Sequence, residues 1–136
     1  MWAARAAAPD AELIGQINRF RAAHGVAALR ADGRLTQGSF VHARWMMAAN
    51  RFQHAGGGSG RDGFRRVGEV IALHPARTPR PGRALSAWER SPGHRALLLD
   101  RSFHSVGAGW AAGRLGGRSG TTWVARLGDA EPAWGK

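Results

Sequence analysis

Helix-like periodicity fills the first part of this chain and strand-like patterning the last part, and this order constrains the fold more than any other feature. Apolar residues recur at helical spacing over residues 11–24 and again from Asp32 to Asn50. Strand-like runs follow at residues 67–73, 103–112 and 121–127. Helices that precede strands, rather than alternate with them, predict an α+β protein and not a doubly wound sheet.

Glycine and proline mark the connections between these elements. Residues 55–60 are rich in glycine and have no periodicity, so we predict a mobile loop there. Residues 83–90 predict a short helix that Pro92 stops, and a further helical turn is expected over residues 93–99. The Gly-rich residues 113–120 join the last two strands and predict a hairpin.

A length of 136 residues suits one domain, which we place at residues 10–129. We expect residues 1–9 to be disordered or derived from a leader, and residues 130–136 to form a tail. The chain has no cysteine, which excludes a disulfide framework, a cysteine nucleophile and a thiolate metal site. No apolar run approaches the ~20 residues of a transmembrane helix. We expect a monomer.

The formal net charge of +11 would ordinarily raise nucleic acid as a partner. Lys136 is the only lysine, so the excess is almost entirely arginine, in a chain that is also dominated by alanine and glycine. This bias is typical of a GC-rich coding sequence, and the arginines are spread singly along the chain. We therefore do not expect a nucleic-acid-binding protein, although a cationic surface could hold the domain against acidic envelope polymers or lipids.

Three residues beside loops or at the ends of elements could converge on one cleft. They are His54 before the Gly-rich loop, Glu69 in the first predicted strand, and His94 after a Ser-Pro-Gly segment. Two imidazoles and a carboxylate are a known ligand set for catalytic zinc. The usual local signature, two histidines four residues apart on one helix, is missing, so only the fold could bring these three together.

Structural roles are the alternative for the same residues. The two histidines could hold loops against the sheet, and Glu69 could be present to pair with His94 or with an arginine such as Arg66 or Arg95, because a buried carboxylate needs such a partner. The other histidines are predicted to be surface or capping residues: His24, His42, His74 and His104. The tryptophans at 45, 88 and 123 are predicted core residues, and Trp110 is predicted to be partly exposed.

The motifs around these residues resemble the CAP superfamily, which comprises the cysteine-rich secretory, antigen 5 and pathogenesis-related-1 proteins. The most specific match is the family pattern W-x-x-S-P-G-H-R at residues 88–95, followed by G-x-G at residues 107–109. Four weaker matches complete the resemblance, which covers residues 12–128 in the family's order and is strongest to the bacterial SCP-like branch. They are N-x-x-R in the first helix, F-x-H at 52–54, G-E-x-I-A at 68–72 and W-x-x-x-x-G at 123–128.

The resemblance implies a three-layer α-β-α sandwich with a small central antiparallel sheet, and a cleft lined by two histidines and two glutamates. His54, Glu69 and His94 match three of those four residues. Ser91 stands where the family has its second glutamate, and Glu89 lies two residues earlier, so both are secondary candidates. The family's supporting Asn and Gln are replaced by Val70 and Ala125, which predicts a degenerate cleft with weak metal binding.

We therefore predict a CAP-domain protein whose cleft binds a divalent metal, with zinc the first choice, or a small ligand, with little or no catalysis. One alternative is a metal-dependent hydrolase in which His54 and His94 hold the metal and Glu69 is the general base. Another is a module that binds a lipid, a sterol or the cell envelope. The resemblance implies a secreted or periplasmic protein and leaves a cytoplasmic location open.

Overall fold

A computed structural model describes residues 7–56 and 63–129 of the chain. Four helices and four strands form in these ranges: α1 (Pro9–Ala23), β1 (Arg30–Ala31), α2 (Gly33–Ala49), β2 (Val67–Pro75), α3 (Pro81–Glu89), α4 (Pro92–Leu98), β3 (Ser105–Leu115) and β4 (Arg118–Gly128). None of the helices within the described ranges has the length and apolar character needed to cross a membrane.

Local sequence signals set the ends of the best-predicted elements. The Asp32 carboxylate accepts hydrogen bonds from the backbone N–H groups of Arg34 and Leu35 and so caps the start of α2. That helix ends at Asn50, whose φ of 55° is left-handed, as expected for a helix C-cap. Of the loop predicted at residues 55–60, only residues 55 and 56 belong to the described ranges, and the predicted tail at 130–136 lies outside them.

The strands form one sheet in the order β1-β3-β4-β2. The β2–β4 and β3–β4 pairs are antiparallel, whereas the two-residue β1 runs parallel to β3. The α+β class is therefore confirmed, and the sheet is mixed rather than wholly antiparallel because of β1. The predicted hairpin is also confirmed, with a tighter connection than the Gly-rich segment suggested: only Gly116 and Gly117, both with positive φ, lie between β3 and β4.

Alternating side chains of the sheet face two helical layers. Val70 and Trp123 belong to the larger core cluster, which the sheet shares with α1, α3 and α4. Their neighbours Ile71 and Val124 pack on the other face against Met46 of α2. This alternation is the period of two that strands impose, and it confirms the three-layer sandwich.

Two glycines of β3 let α2 lie directly on the sheet. A Cβ atom at Gly107 would be 2.1 Å from the backbone nitrogen of Thr36, and one at Gly109 would be 2.3 Å from that of Phe40. Both distances are far shorter than any real contact, so only glycine permits this approach. The approach matters for the site because it brings the side chains of α2 close to the sheet face that carries Glu69 and Arg126.

Candidate functional site

Glu69 of β2 lies on the sheet face that α2 covers, directly across from Arg126 of β4. The two side chains form an ion pair in which Arg126 Nε donates to Glu69 Oε2 at 2.9 Å. Their side chains are 5% and 13% exposed, so the pair is largely removed from water. Glu69 thus has an arginine partner, as one of the predictions proposed, but neither of the two arginines named as examples: Arg66 pairs with Asp100, and Arg95 contacts His24.

The second oxygen of Glu69 is held by the segment that follows α2. His54 Nδ1 lies 3.0 Å from Glu69 Oε1, and the backbone N–H of Ala55 donates to the same oxygen at 3.0 Å. A carboxylate can only accept, so His54 carries its proton on Nδ1 and, when the ring is neutral, Nε2 is the accepting nitrogen. The side chain of His54 is 56% exposed, which leaves Nε2 available to a ligand.

These contacts set the protonation state of Glu69. Burial alone would raise the pKa of its carboxyl group, but the hydrogen bonds from Ala55 and His54 and the charge of Arg126 outweigh burial and lower the pKa below its ordinary value. Glu69 is therefore a stable carboxylate at neutral pH. A carboxylate with a depressed pKa orients its hydrogen-bond partners well and takes up a proton poorly.

His94 reaches the same region from α4 but makes no direct contact with Glu69. Its ring is partly buried, and no other described residue forms a hydrogen bond with it. Burial and, to a lesser extent, the charge of His54 lower the pKa of His94. Ser91 is at the cap position of α4 and Glu89 is at the end of α3. Neither residue lines the cleft beside Glu69 and Arg126.

An open cleft of about 320 Å³ lies against the Glu69–Arg126 pair. Its walls come from α2, from the segment after it and from β4. They are formed by Val41, His42, Trp45, Gln53, His54, Ala55, Gly56 and Arg126. The cleft thus combines an apolar wall on α2 with a polar wall on the following segment.

A comparison of this chain with known protein families identifies the family to which it belongs. The model of the cysteine-rich secretory protein family, CAP, matches residues 14–126. The chain belongs to the CAP family. The match spans both His54 and Glu69 and the motif around His94, as the resemblance implied.

Solved structures with this fold include bacterial CAP proteins. An outer surface protein from Borrelia burgdorferi superposes with a TM-score of 0.72 at 17% identity, over 89% of this chain and 92% of that one. An extracellular protein with an SCP domain from Bacillus anthracis gives 0.71 at 23% identity, over 90% of this chain and 40% of that one. A cysteine-rich secretory protein from Staphylococcus aureus gives 0.61 at 14% identity, over 90% of this chain and 39% of that one. No curated protein matches the sequence significantly.

Two residues of this CAP cleft are not predicted as site residues by the sequence, in which His42 is expected to be a surface or capping residue and Trp45 a core residue. His42 is only 6% exposed, and its Nε2 donates to the carbonyl oxygen of Gln53 at 2.7 Å and lies 4.0 Å from Glu69 Oε1. Trp45 is 40% exposed and stacks on the His42 ring, with centroids 5.5 Å apart. Helical spacing predicts that His42 is buried, because His42 lies seven residues after Leu35 and therefore on the same buried face of α2.

Of the remaining predictions for histidine and tryptophan, some are confirmed and one is wrong. His24 and His104 are exposed and Trp110 is partly buried, as predicted. His74 is buried, contrary to prediction, because its Nε2 accepts hydrogen bonds from Trp123 Nε1 and from the backbone N–H of Arg80. It is a structural residue of the core.

The described residues do not fit a zinc centre of the kind the resemblance implies. No group of three or more His, Asp or Glu side chains in residues 7–56 and 63–129 is placed to hold a metal ion. A ligand carboxylate must direct a lone pair at the metal. Both oxygens of Glu69 already accept hydrogen bonds, and the donor to Oε2 is a cationic guanidinium that would repel a metal ion.

Proposed function

We propose that this CAP domain binds a small organic ligand in the cleft beside Glu69 and Arg126, with little or no catalysis. The observation that carries the proposal is the cleft itself, which sets exposed Trp45 and Val41 against the polar edges of His54 and Gln53. Ligand sites are typically concavities of about 300 Å³ or more that combine apolar walls with a few polar groups.

Trp45 supplies the main contact surface for such a ligand. His42 stacks on its ring, while Trp45 as a whole remains 40% exposed to solvent. Val41 lies four residues earlier on α2, is 53% exposed and extends the same apolar wall. A flat apolar or aromatic moiety would cover both side chains and place its polar groups near His54.

Catalysis is the weaker reading of the same cleft. The described residues that line it include no hydroxyl or thiol side chain that could act as a nucleophile. Glu69, the predicted general base, has a lowered pKa and is occupied by its partners, which makes it a positioning group for His54. The metal-dependent hydrolase therefore stays a prediction with little support from the geometry.

We also propose that the domain acts outside the cytoplasm. The support comes from the relatives, one described as an outer surface protein and another as an extracellular protein. Lipids or acidic envelope polymers remain the larger partners to consider, given a net charge of +11.

A dye titration tests the ligand site. We would titrate the chain with 8-anilinonaphthalene-1-sulfonate, an aromatic anion, and follow its fluorescence. Trp45→Ala should weaken dye binding at least about tenfold, which corresponds to ~1.4 kcal/mol, because it removes the apolar wall. Phe52→Ala is the matched control, since Phe52 is 45% exposed but does not line the cleft. Equal weakening by both changes, or by neither, would contradict the proposal.

A further inference from the structure

The Glu69–Arg126 pair has a consequence for the kind of ligand that the cleft can take. Arg126 Nε lies 2.9 Å from Glu69 Oε2, and Arg126 as a whole is 4% exposed. Guanidinium groups stay protonated in proteins, so this positive charge is permanent. The carboxylate that resembles a metal ligand is thus already neutralised from within the chain.

The backbone fixes Arg126 in this position. The β2–β4 pairing places Glu69 and Arg126 directly opposite each other, and the register extends over nine residue pairs, from Val67 with Gly128 to Pro75 with Gly120. Cross-strand neighbours on one face lie side by side. Arg126 cannot withdraw from Glu69 by a simple change of register, because a one-residue shift would turn its side chain to the opposite face of the sheet.

A divalent cation would have to compete with this guanidinium. Zinc binds a carboxylate oxygen at about 2.0–2.2 Å, which would place two positive charges side by side next to Glu69. The repulsion between them is strong because the pair is largely removed from water. The other groups near the carboxylate, His42 and His54, add only neutral or positive charge.

We propose that Arg126 is a built-in cation that takes the place of a divalent metal beside Glu69, so that the cleft works without metal and accepts neutral or anionic ligands. This inference rests on the proposed function of the cleft. Glu69 and Arg126 cancel each other's charge, and Glu69 in turn holds His54 with Nε2 toward the ligand. A cationic ligand would find no free carboxylate among the described residues that line the cleft.

A zinc titration of chelator-treated full chain by calorimetry tests the inference. Wild type should bind zinc only weakly, whereas Arg126→Gln should bind at least about tenfold more tightly, because Glu69 Oε2 is released. The gain should disappear in the double variant Arg126→Gln/Glu69→Gln. Arg30→Gln, a change at an exposed arginine of β1, is the matched control and should bind zinc as wild type does.

Two results would overturn the inference. The first is wild-type zinc binding at or below about 10 µM that a folded Glu69→Gln variant has lost, and this test does not depend on whether the Arg126 variant folds. The second is a folded Arg126→Gln variant that binds zinc no more tightly than wild type. Either result would leave the dye titration on Trp45 unaffected, so failure of this inference and failure of the proposed function can be told apart.

Discussion

Glu69 connects three separate parts of the chain through one side chain. Its oxygens accept from His54 and Ala55 in the segment after α2, and from Arg126 in β4. Each donor stabilises the ionised form, and together they overcome the cost of burial. The carboxylate therefore has a structural role, and its loss should reduce the stability of the folded domain.

Replacing Glu69 by Gln should destabilise the domain most at neutral pH. The change removes the charged partner from one side of a largely buried ion pair, and breaking such a pair typically costs about 3–5 kcal/mol. Because the folded-state pKa of Glu69 is depressed, its contribution is full above the unfolded-state pKa near 4.5 and is lost as pH falls through the lower folded-state value. Thermal unfolding of both proteins from pH 7 to pH 3 should show the difference in Tm shrinking toward acid.

The exposed Glu12 of α1 provides the control for this experiment. Glu12→Gln removes a carboxylate from the surface, where it makes only a long contact with Gln16. It should leave Tm within a few degrees of wild type at every pH. A difference between wild type and Glu69→Gln that stays constant or grows toward acid would contradict the assigned role of Glu69.

At the scale of elements, the packing of α2 on β3 determines whether the cleft forms. This helix carries Val41, His42 and Trp45, and its distance from the sheet is set by the backbone contacts at Gly107 and Gly109. A wider separation would draw His42 and Trp45 away from Glu69. The shape of the cleft thus depends on Gly107 and Gly109, which do not line it.

Gly107→Ala should destabilise the fold by about 3 kcal/mol or more, at the upper end of overpacking effects, because its Cβ would meet the backbone of α2. The same replacement at Gly33, the first residue of α2, meets nothing within 4 Å and should be neutral or slightly stabilising. Urea unfolding of the two variants gives the comparison. Similar midpoints for Gly107→Ala and wild type would show that the helix is not held by this contact.

The elements that could be predicted from the sequence are those whose boundaries are marked by residues within or next to the element itself. Asp32 and Asn50 bound α2, and a helical stripe gave its buried face, although the same stripe should also have assigned His42 to that face. The two-residue β1 carries no pattern of its own, because it is defined only by pairing with β3. The hairpin was predictable from its glycines, but not the exact turn within them.

At the scale of the whole molecule, the CAP motifs predicted that His54, Glu69 and His94 approach one region. The structure joins His54 to Glu69 directly, and the charge of His54 contributes to the lowered pKa of His94. The partner at Arg126 could not be predicted, because which residue of β4 faces Glu69 depends on a register between distant strands. A shift of one residue would have put Ala125 or Leu127 there instead.

The cleft is proposed to bind a small ligand without metal. The most direct test is the affinity of wild type for 8-anilinonaphthalene-1-sulfonate, measured once in chelator and once with added zinc. We expect the same dissociation constant in both conditions, within about twofold, because Arg126 already balances the charge of Glu69. Dye binding that disappears in chelator and returns with zinc would contradict this proposal.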